Sequence, residues 1–317
     1  MLYKQMLELF DMLDRPQACG EEVKKLMLER GADEVTVHTV EGTDDNGKKG
    51  TTDCICILIK GTNGKSSGGT APTMGIIGRL GGLGARPEMI GFVSDGDGAL
   101  AALTAGLKLA EMKKNGDVLP GDTIICTHIC PHAPTAPHDP VPFMGSPIDM
   151  VAMNKYEVDP RMDAILTIDT TKGNKIINVN GFAISPTVKD GYILAVSDDL
   201  VETMIRVTGK MPAVFALAQQ DITPYGNGLH HLNSILQPAT ATHAPVVGVA
   251  ITVEQAVAGC ATGASHGNDV ESAARYAVEV AKYYTQGKCS FYNPEELALL
   301  NKLYGPMDHF MTMGKTD

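Results

Sequence analysis

Nowhere in the 317 residues is there an unbroken apolar run of the roughly 18 residues that a membrane-spanning helix needs, which excludes such a helix. A basic surplus is also missing. Lys and Arg number 26 against 37 Asp and Glu, a net charge of −11, so no cationic face is expected to neutralise the phosphates of a nucleic acid or an anionic membrane. The N-terminal MLYKQMLELFDMLDR alternates charge with apolar residues and lacks the apolar core of a signal peptide. The seven cysteines are odd in number and form no compact framework, so they read as reduced thiols. These absences together predict a cytoplasmic protein. No internal repeat and no interdomain linker is visible. Residues 1–317 are therefore expected to form a single α/β domain, with an irregular segment over 61–88 and a helical tail over 293–317.

What is present is an ordinary globular composition, 44% hydrophobic and 20% charged. The 16 methionines read as core filling. Apolar spacing predicts helices over 3–15 and 20–30, then a half-exposed strand in DEVTVHTVEG and a buried one in CICILIKG. TMGIIGRLGG and MIGFVSDGDG read as strands, the second ending in a tight acidic turn before the clearest helix, ALAALTAGLKLAEMKKNG. LPGDTIICTHIC and DAILTIDTT are buried strands, and NKIINVNGFAISP looks like a hairpin. A helix over 198–208 has Ser197 as its cap. MPAVFALAQQD and APVVGVAIT read as strands flanking a helix around 229–236, and a long amphipathic helix spans Asp269 to Tyr284. Asn293-Pro294 opens the last helix, with Asn at the cap and Pro in the first turn. Strands alternating with helices predict a three-layer α/β/α sandwich around a mixed, largely parallel sheet.

In such folds sites gather beyond the carboxyl ends of the strands, and several chemistry-bearing features fall there. Ser94-Asp95-Gly96-Asp97-Gly98 lies between a strand and a helix; its carboxylates can bridge metal ions, or Asp97 can simply cap the helix. The segment 126–142, CTHICPHAPTAPHDPVP, holds three of the nine histidines, two cysteines and five prolines. In extended chain His128, Cys130 and His132 point to one side, and imidazole with thiolate at that spacing can meet one borderline metal. The bland alternative is a rigid surface loop. Asp169, closing the buried strand DAILTID, needs a partner of some kind. His266 sits on a glycine-rich approach to a helix N-terminus, where it can reach a ligand or merely face solvent. His230 and His231 carry a weaker case, because one of an adjacent pair usually faces water.

Gly61-Thr62-Asn63-Gly64-Lys65-Ser66-Ser67 resembles the ATP loop of amide-forming ligases such as the Mur and folylpolyglutamate ligases. A phosphate loop needs a helix directly behind it. Here GGTAPTMGIIG follows and Ile59 stands where the motif's first glycine belongs, so a flexible, basic-tipped loop is the favoured expectation.

The order of elements from residue 5 to about 284 resembles the co-catalytic zinc exopeptidases, meaning aminopeptidases, carboxypeptidases and related deacylases. SDGDGALAAL is similar to the stretch carrying their bridging aspartate, which implies that role for Asp95. DAILTIDTT resembles the strand ending in a carboxylate ligand, which implies Asp169, and GASHGND the loop with their last histidine, which implies His266. Two departures stand out. Arg79 falls near the place of their first histidine, and Cys130-Pro131-His132 replaces their paired glutamates. The whole chain is also similar to a bacterial family of uncharacterised proteins, through THICPHAPTAPHDPVPFMGSP and QDITPYGNGLHHLNSILQPATAT.

Three functions follow as expectations. The first is a metal-dependent hydrolase of an amide bond in a small peptide-like or acylated amino-acid substrate. A divalent metal, zinc foremost, would be held by Asp95, Cys130 or His132, Asp169 and His266. His132 or His128 would carry the proton, and Arg79 would hold a substrate carboxylate unless it forms a structural ion pair with Asp95 or Asp97. The second is a non-catalytic ligand-binding or scaffold protein that kept the fold and lost the chemistry. The third is an ATP-dependent ligase using GTNGKSS. Expected partners are a small-molecule or peptide-like ligand and, through apolar strands near 246–251, a second copy of the chain.

Overall fold

A computed structural model describes residues 1–44, 47, 49–174, 177–216 and 234–315. The two N-terminal helices, α1 (Tyr3–Leu13) and α2 (Gly20–Glu29), precede strands β1 (Glu34–Thr43) and β2 (Lys49–Ile59). Then come β3 (Met74–Gly78), α3 (Asp97–Lys114), β4 (Thr123–Ile129), and the short pair β5 (Thr135–Ala136) and β6 (Phe143–Met144). α4 (Met150–Glu157), β7 (Ala164–Thr170), β8 (Gly181–Ile184), β9 (Val188–Lys189), β10 (Tyr192–Ile193) and α5 (Asp198–Thr208) follow. The chain ends with β11 (Val246–Thr252), α6 (Gly267–Thr285) and α7 (Pro294–Tyr304).

The main sheet runs β1-β2-β4-β3-β7-β11-β9-β10, with β8 also on β11. Its centre, β4-β3-β7-β11, is parallel, while β1, β2 and β8 pair antiparallel. The central strands read MGIIG, TIICTHI, AILTIDT and VVGVAIT and are buried at every residue. Such unbroken apolar runs suit a sheet covered on both faces. Ile55, Ile57, Ile125, Leu166, Ile168, Val247 and Val249 share one core with residues of α1, α3 and α6. The alternate residues Leu58, Ile77, Ile124, Ile165 and Val246 pack on the other face with Ile235, Leu236 and Ala239 of the 3-10 segment Ser234–Thr240. α4 covers β2 and β4 on that face. The sandwich is thus three layers, as the alternation of elements predicts. The helices begin where the sequence signals them: Ser197 Oγ accepts from Leu200 N–H, and Asn293 Oδ1 accepts from Glu295 N–H. The N-terminal segment is tied to the far end of the chain, since Leu2 N–H donates to Glu271 Oε1 of α6 at 2.8 Å.

Several expectations need correction. The segment near 246–251 is not exposed: β11 lies inside the sheet, bonded to β7 on one side and to β8 and β9 on the other, so it offers no edge to a second copy. Residues 89–93 form no strand, because Val93 N–H bonds Leu83 O and Ser94 N–H bonds Thr262 O, both in loops. The described residues of NKIINVNGFAISP make no hairpin; β8 pairs with β11. Of MPAVFALAQQD, residues 211–216 form no strand apart from an isolated bridge at Val214, and the rest lies outside the described residues, as does most of the helix expected around 229–236. Two of the cysteines are not free thiols. Cys56 and Cys126 face each other across β2 and β4, with Cα atoms 4.3 Å apart, and are joined as a disulfide. No helix among the described residues is long and apolar enough to cross a membrane.

Candidate functional site

β3 has β4 on one side and β7 on the other. The β3-to-β4 connection passes through α3 on one face, and the β4-to-β7 connection through α4 on the opposite face. In open α/β sheets ligand sites gather at the carboxyl ends of the strands where the connections diverge in this way. Arg79 follows β3, His128 and Cys130 close β4, Asp169 closes β7, and the loop after β11 leads through Cys260 to His266 at the start of α6. Asp95 and Asp97 lie where the chain enters α3. α3 fits tightly at this point, since a Cβ on Gly98 would lie 1.9 Å from the carbonyl oxygen of Arg79 and 2.4 Å from that of Ile168.

Asp97 is the hub. It is fully buried and does not cap α3, whose cap position is Gly96. Lys172 Nζ donates to its Oδ2 at 2.7 Å, and Ser265 Oγ donates to its Oδ1 at 2.5 Å. Burial lifts the Asp97 carboxyl above the ordinary carboxylate range, while Lys172, Ser265 and His266 draw it back down. Asp95 is 5% exposed, and no hydrogen bond reaches its carboxyl among the described residues. Burial and the neighbouring Asp97 push its pKa up to about 7. Around it sit Gly82, Met144 and the thiols of Cys130 and Cys260. Burial raises those thiols to about 11 and about 12, with the Asp95 charge adding to the rise, so both are protonated at neutral pH. Asp169 is buried, accepts from Thr170 N–H at 2.7 Å, and also acts on Cys260. His266 is exposed, and its charge acts on Asp97 and Asp269. Asp95, Cys130, Asp169 and His266 therefore lie at the same end of the sheet as the Asp97–Lys172 pair, without three of them converging on one point.

The other candidates are placed elsewhere. Arg79 is fully buried under α4, and its partner is neither Asp95 nor Asp97. Its Nε lies 2.6 Å from Glu157 Oε2, an ion pair rather than an aligned hydrogen bond, while its terminal nitrogens reach Asn154 Oδ1 and Met150 Sδ. It has no free edge for a substrate carboxylate. His128 is 2% exposed and equally occupied: Gly81 N–H donates to its Nε2 at 2.9 Å, so its Nδ1 carries the proton toward Glu157 Oε1 at 2.6 Å. Burial pushes Glu157 upward, but Arg79 and His128 outweigh it and hold the carboxyl below its usual range. His132 is exposed at the surface, with Nε2 2.9 Å from the carbonyl oxygen of Pro16. Thus His128, Cys130 and His132 do not converge. His230 and His231 lie outside the described residues.

Lys172, Cys260, Ser265 and Glu157 were not evident as site residues from sequence, whereas Asp97 was visible there as one of the two turn carboxylates. Lys172 had one signal, its place three residues beyond Asp169 at a strand end.

These residues do not fit a divalent ion. Among those described, no three His, Cys, Asp or Glu side chains are grouped to hold one, and the central carboxylate is already bound to an ammonium. The ATP-loop reading also fails on geometry. GTNGKSS ends in the 3-10 turn Lys65–Ser67 and β3 is the next element, and Asp122 takes the N–H groups of Gly61 and Ser66 that a phosphate would need. Lys65 pairs with Asp163 instead of standing free at a loop tip. A cleft of about 650 Å³ beside Lys189, His243, Tyr284 and Tyr292 opens at the amino ends of β7 and β11, away from this cluster.

The fold is a zinc-exopeptidase-like α/β sandwich. The structure is similar to the bottromycin maturation enzyme BotP, with a TM-score of 0.51 and 13% identity over 89% of this chain and 70% of that one. BotP in complex with Mn matches with a TM-score of 0.49 and 12% identity, over 89% of this chain and 71% of that one. A Zn-dependent exopeptidase from Parabacteroides distasonis gives 0.49 and 12%, over 89% of this chain and 96% of that one. In sequence, residues 43–314 match the family described as Protein of unknown function (DUF1177), and the chain belongs to that family. No curated protein matches it.

Proposed function

We propose that this chain is a ligand-binding protein built on an exopeptidase-like fold, which takes up a small peptide-like or acylated amino-acid ligand at the carboxyl ends of its sheet and does not hydrolyse it by metal chemistry. One observation carries this reading: Glu157 occupies both Arg79 and His128 under α4. The carboxylate-holding and proton-carrying groups of the hydrolytic reading are thereby consumed by the scaffold. His132, the other candidate proton carrier, rests on Pro16 at the surface. The acidic group around Asp97 suits the amino end of such a ligand, with the unbonded Asp95 carboxyl available to accept a hydrogen bond.

The metal-dependent amide hydrolase is the second reading. It is favoured by Asp95, Asp169 and His266 gathering at one end of the sheet, as the exopeptidase resemblance implies. Elemental analysis of protein purified without chelator, beside a His266→Ala control and a panel of N-acylated amino acids and dipeptides, separates the two. Bound but unhydrolysed ligands and no His266-dependent metal are expected. Stoichiometric zinc or manganese lost in the control, together with turnover, would replace the first reading by the second.

A further inference from the structure

Three of the seven cysteines share one face of the sheet. Cys54 and Cys56 stand two residues apart on β2 and so point to the same side, and Cys126 of β4 lies opposite Cys56 in the antiparallel register. The Cα atoms of that pair are 4.3 Å apart and the sulfurs are joined. The three sulfurs differ in their surroundings. Cys126 is fully buried, in one apolar cluster with Leu58, Ile77 and Val158. Cys54 is 2% exposed, and burial pushes its thiol well above the ordinary range, with the charge of Glu157 adding to the rise. Cys56 is only half-buried. It lines, with Cys54, a cleft of about 200 Å³ walled by Thr36 and His38 of β1 and by Lys155 and Tyr156 of α4. The bond between Cys56 and Cys126 is therefore open to an incoming molecule at one of its two sulfurs.

We propose that Cys56 is a thiol-exchange site: a low-molecular-weight thiol enters the cleft and opens the Cys56–Cys126 bond at Cys56, and the corresponding small disulfide closes it again. The thiolate of the small molecule attacks Cys56 Sγ. The Sγ–Sγ bond breaks, and its electron pair leaves on Cys126 Sγ, which takes up a proton. Cys56 now carries the small molecule as a mixed disulfide. A second small thiolate attacks the sulfur of the bound one, the two leave joined, and Cys56 is released and protonated. One protein disulfide and two small thiols thus give two protein thiols and one small disulfide, and the reverse sequence oxidises the pair. Exchange requires access to the sulfur that is attacked, which the cleft gives at Cys56 and packing denies at Cys126. A thiol fixed in the surface of a folded reductase cannot follow a small molecule into a recess of this size. Cys54 takes no part, because the thiolate is the nucleophile and burial suppresses it there. Opening the bond removes a covalent tie two residues from His128, the partner of Glu157. None of this depends on what the carboxyl ends of the sheet bind.

Mixtures of reduced and oxidised glutathione, applied to the native full chain, test the proposal; samples are quenched in acid, alkylated in denaturant and mapped by mass spectrometry. In wild type, Cys56 and Cys126 are expected to pass from linked to free as the share of reduced glutathione rises, and to relink as it falls. Cys126→Ala in oxidised glutathione is expected to carry a glutathionyl group on Cys56 and none on Cys54. Cys56→Ala is expected to carry none on Cys126. Thr36→Trp, which narrows the cleft from β1, should slow the native exchange while leaving its rate in urea equal to that of wild type. A wild-type pair that keeps one state across the whole series and exchanges only in urea would overturn the proposal. So would a mixed disulfide on Cys126, an undiminished rate in Thr36→Trp, or exchange with a thioredoxin-class protein alone. If the cysteine variants do not fold, the wild-type series and the Thr36→Trp rate decide between the same two results.

Discussion

Glu157 is the residue whose loss should matter most to the fold around the site. It is fully buried, with Arg79 Nε at 2.6 Å on one oxygen and His128 Nδ1 at 2.6 Å on the other. Glu157→Gln keeps the shape and removes the charge, leaving a buried guanidinium uncompensated. Breaking a buried pair in this way costs about 3–5 kcal/mol. At about 2 °C per kcal/mol for a chain of this size, the midpoint of thermal unfolding should fall by about 6–10 °C. The partner of the cycle is Arg79→Met; together with Glu157→Leu it removes both charges and should recover most of the loss, giving a coupling of at least about 2 kcal/mol. The pH profile has a defined direction. Because the folded state holds Glu157 below its unfolded pKa of about 4.3, its contribution is complete above that value and disappears as pH falls through the folded one. The gap between wild type and Glu157→Gln should therefore narrow in acid. Urea unfolding followed by circular dichroism reads the stability differences, and a thermal scan reads the midpoint. A loss under about 1 kcal/mol, or an equal loss in the Arg79→Met background, would show that Glu157 is not the keystone of this network.

Three further outcomes are expected. Asp95 titrates near 7 in the folded chain against about 3.9 unfolded, so its ionisation costs stability as pH rises between these values, by up to about 4 kcal/mol in full; Asp95→Asn should remove that slope, and parallel urea profiles for the two proteins at pH 5 and pH 8 would refute it. Peptide mapping under non-reducing conditions should find Cys56 linked to Cys126, and because the bond closes a 70-residue separation, Cys126→Ala should lower stability by about 4 kcal/mol; a map with both thiols free would contradict this. Asp122→Ala should cost about 1–3 kcal/mol for each of the two N–H groups it leaves bare, while millimolar ATP should not shift the unfolding temperature of wild type; a nucleotide-dependent rise would revive the phosphate-loop reading.

The fold was legible where local chemistry decides the outcome. Ser197 and Asn293 mark helix starts by short-range hydrogen bonds, and the unbroken apolar runs of β4, β7 and β11 mark central strands. Segment 89–93 was not legible, because its apolar residues are buried by loops through Leu83 and Thr262, contacts that no periodicity encodes. The site divided in the same way. Asp95, Asp169 and His266 stand at strand ends and a helix start, positions visible from the order of elements. Glu157 and Lys172 act through partners 78 and 75 residues away in sequence, at Arg79 and Asp97. The side-chain alternation that suggested a shared target for His128, Cys130 and His132 holds only while the chain is extended. β4 ends at Ile129, and beyond it His132 turns to Pro16.

The bond from Leu2 to Glu271 has a consequence for how the chain is made. α1 leaves the ribosome well before α6, with Leu9 and Leu13 ready to be buried, yet part of its docking surface belongs to α6. At about 5–20 residues per second, the stretch from α1 to α6 takes roughly 13–50 s to synthesise. For that interval the apolar side of α1 has only α2, β1, β2 and later α3 for company, and its closing hydrogen bond cannot form. A helix translated long before α6 is thus secured only after α6 appears, and a nascent-chain chaperone has a long opportunity at residues 3–13.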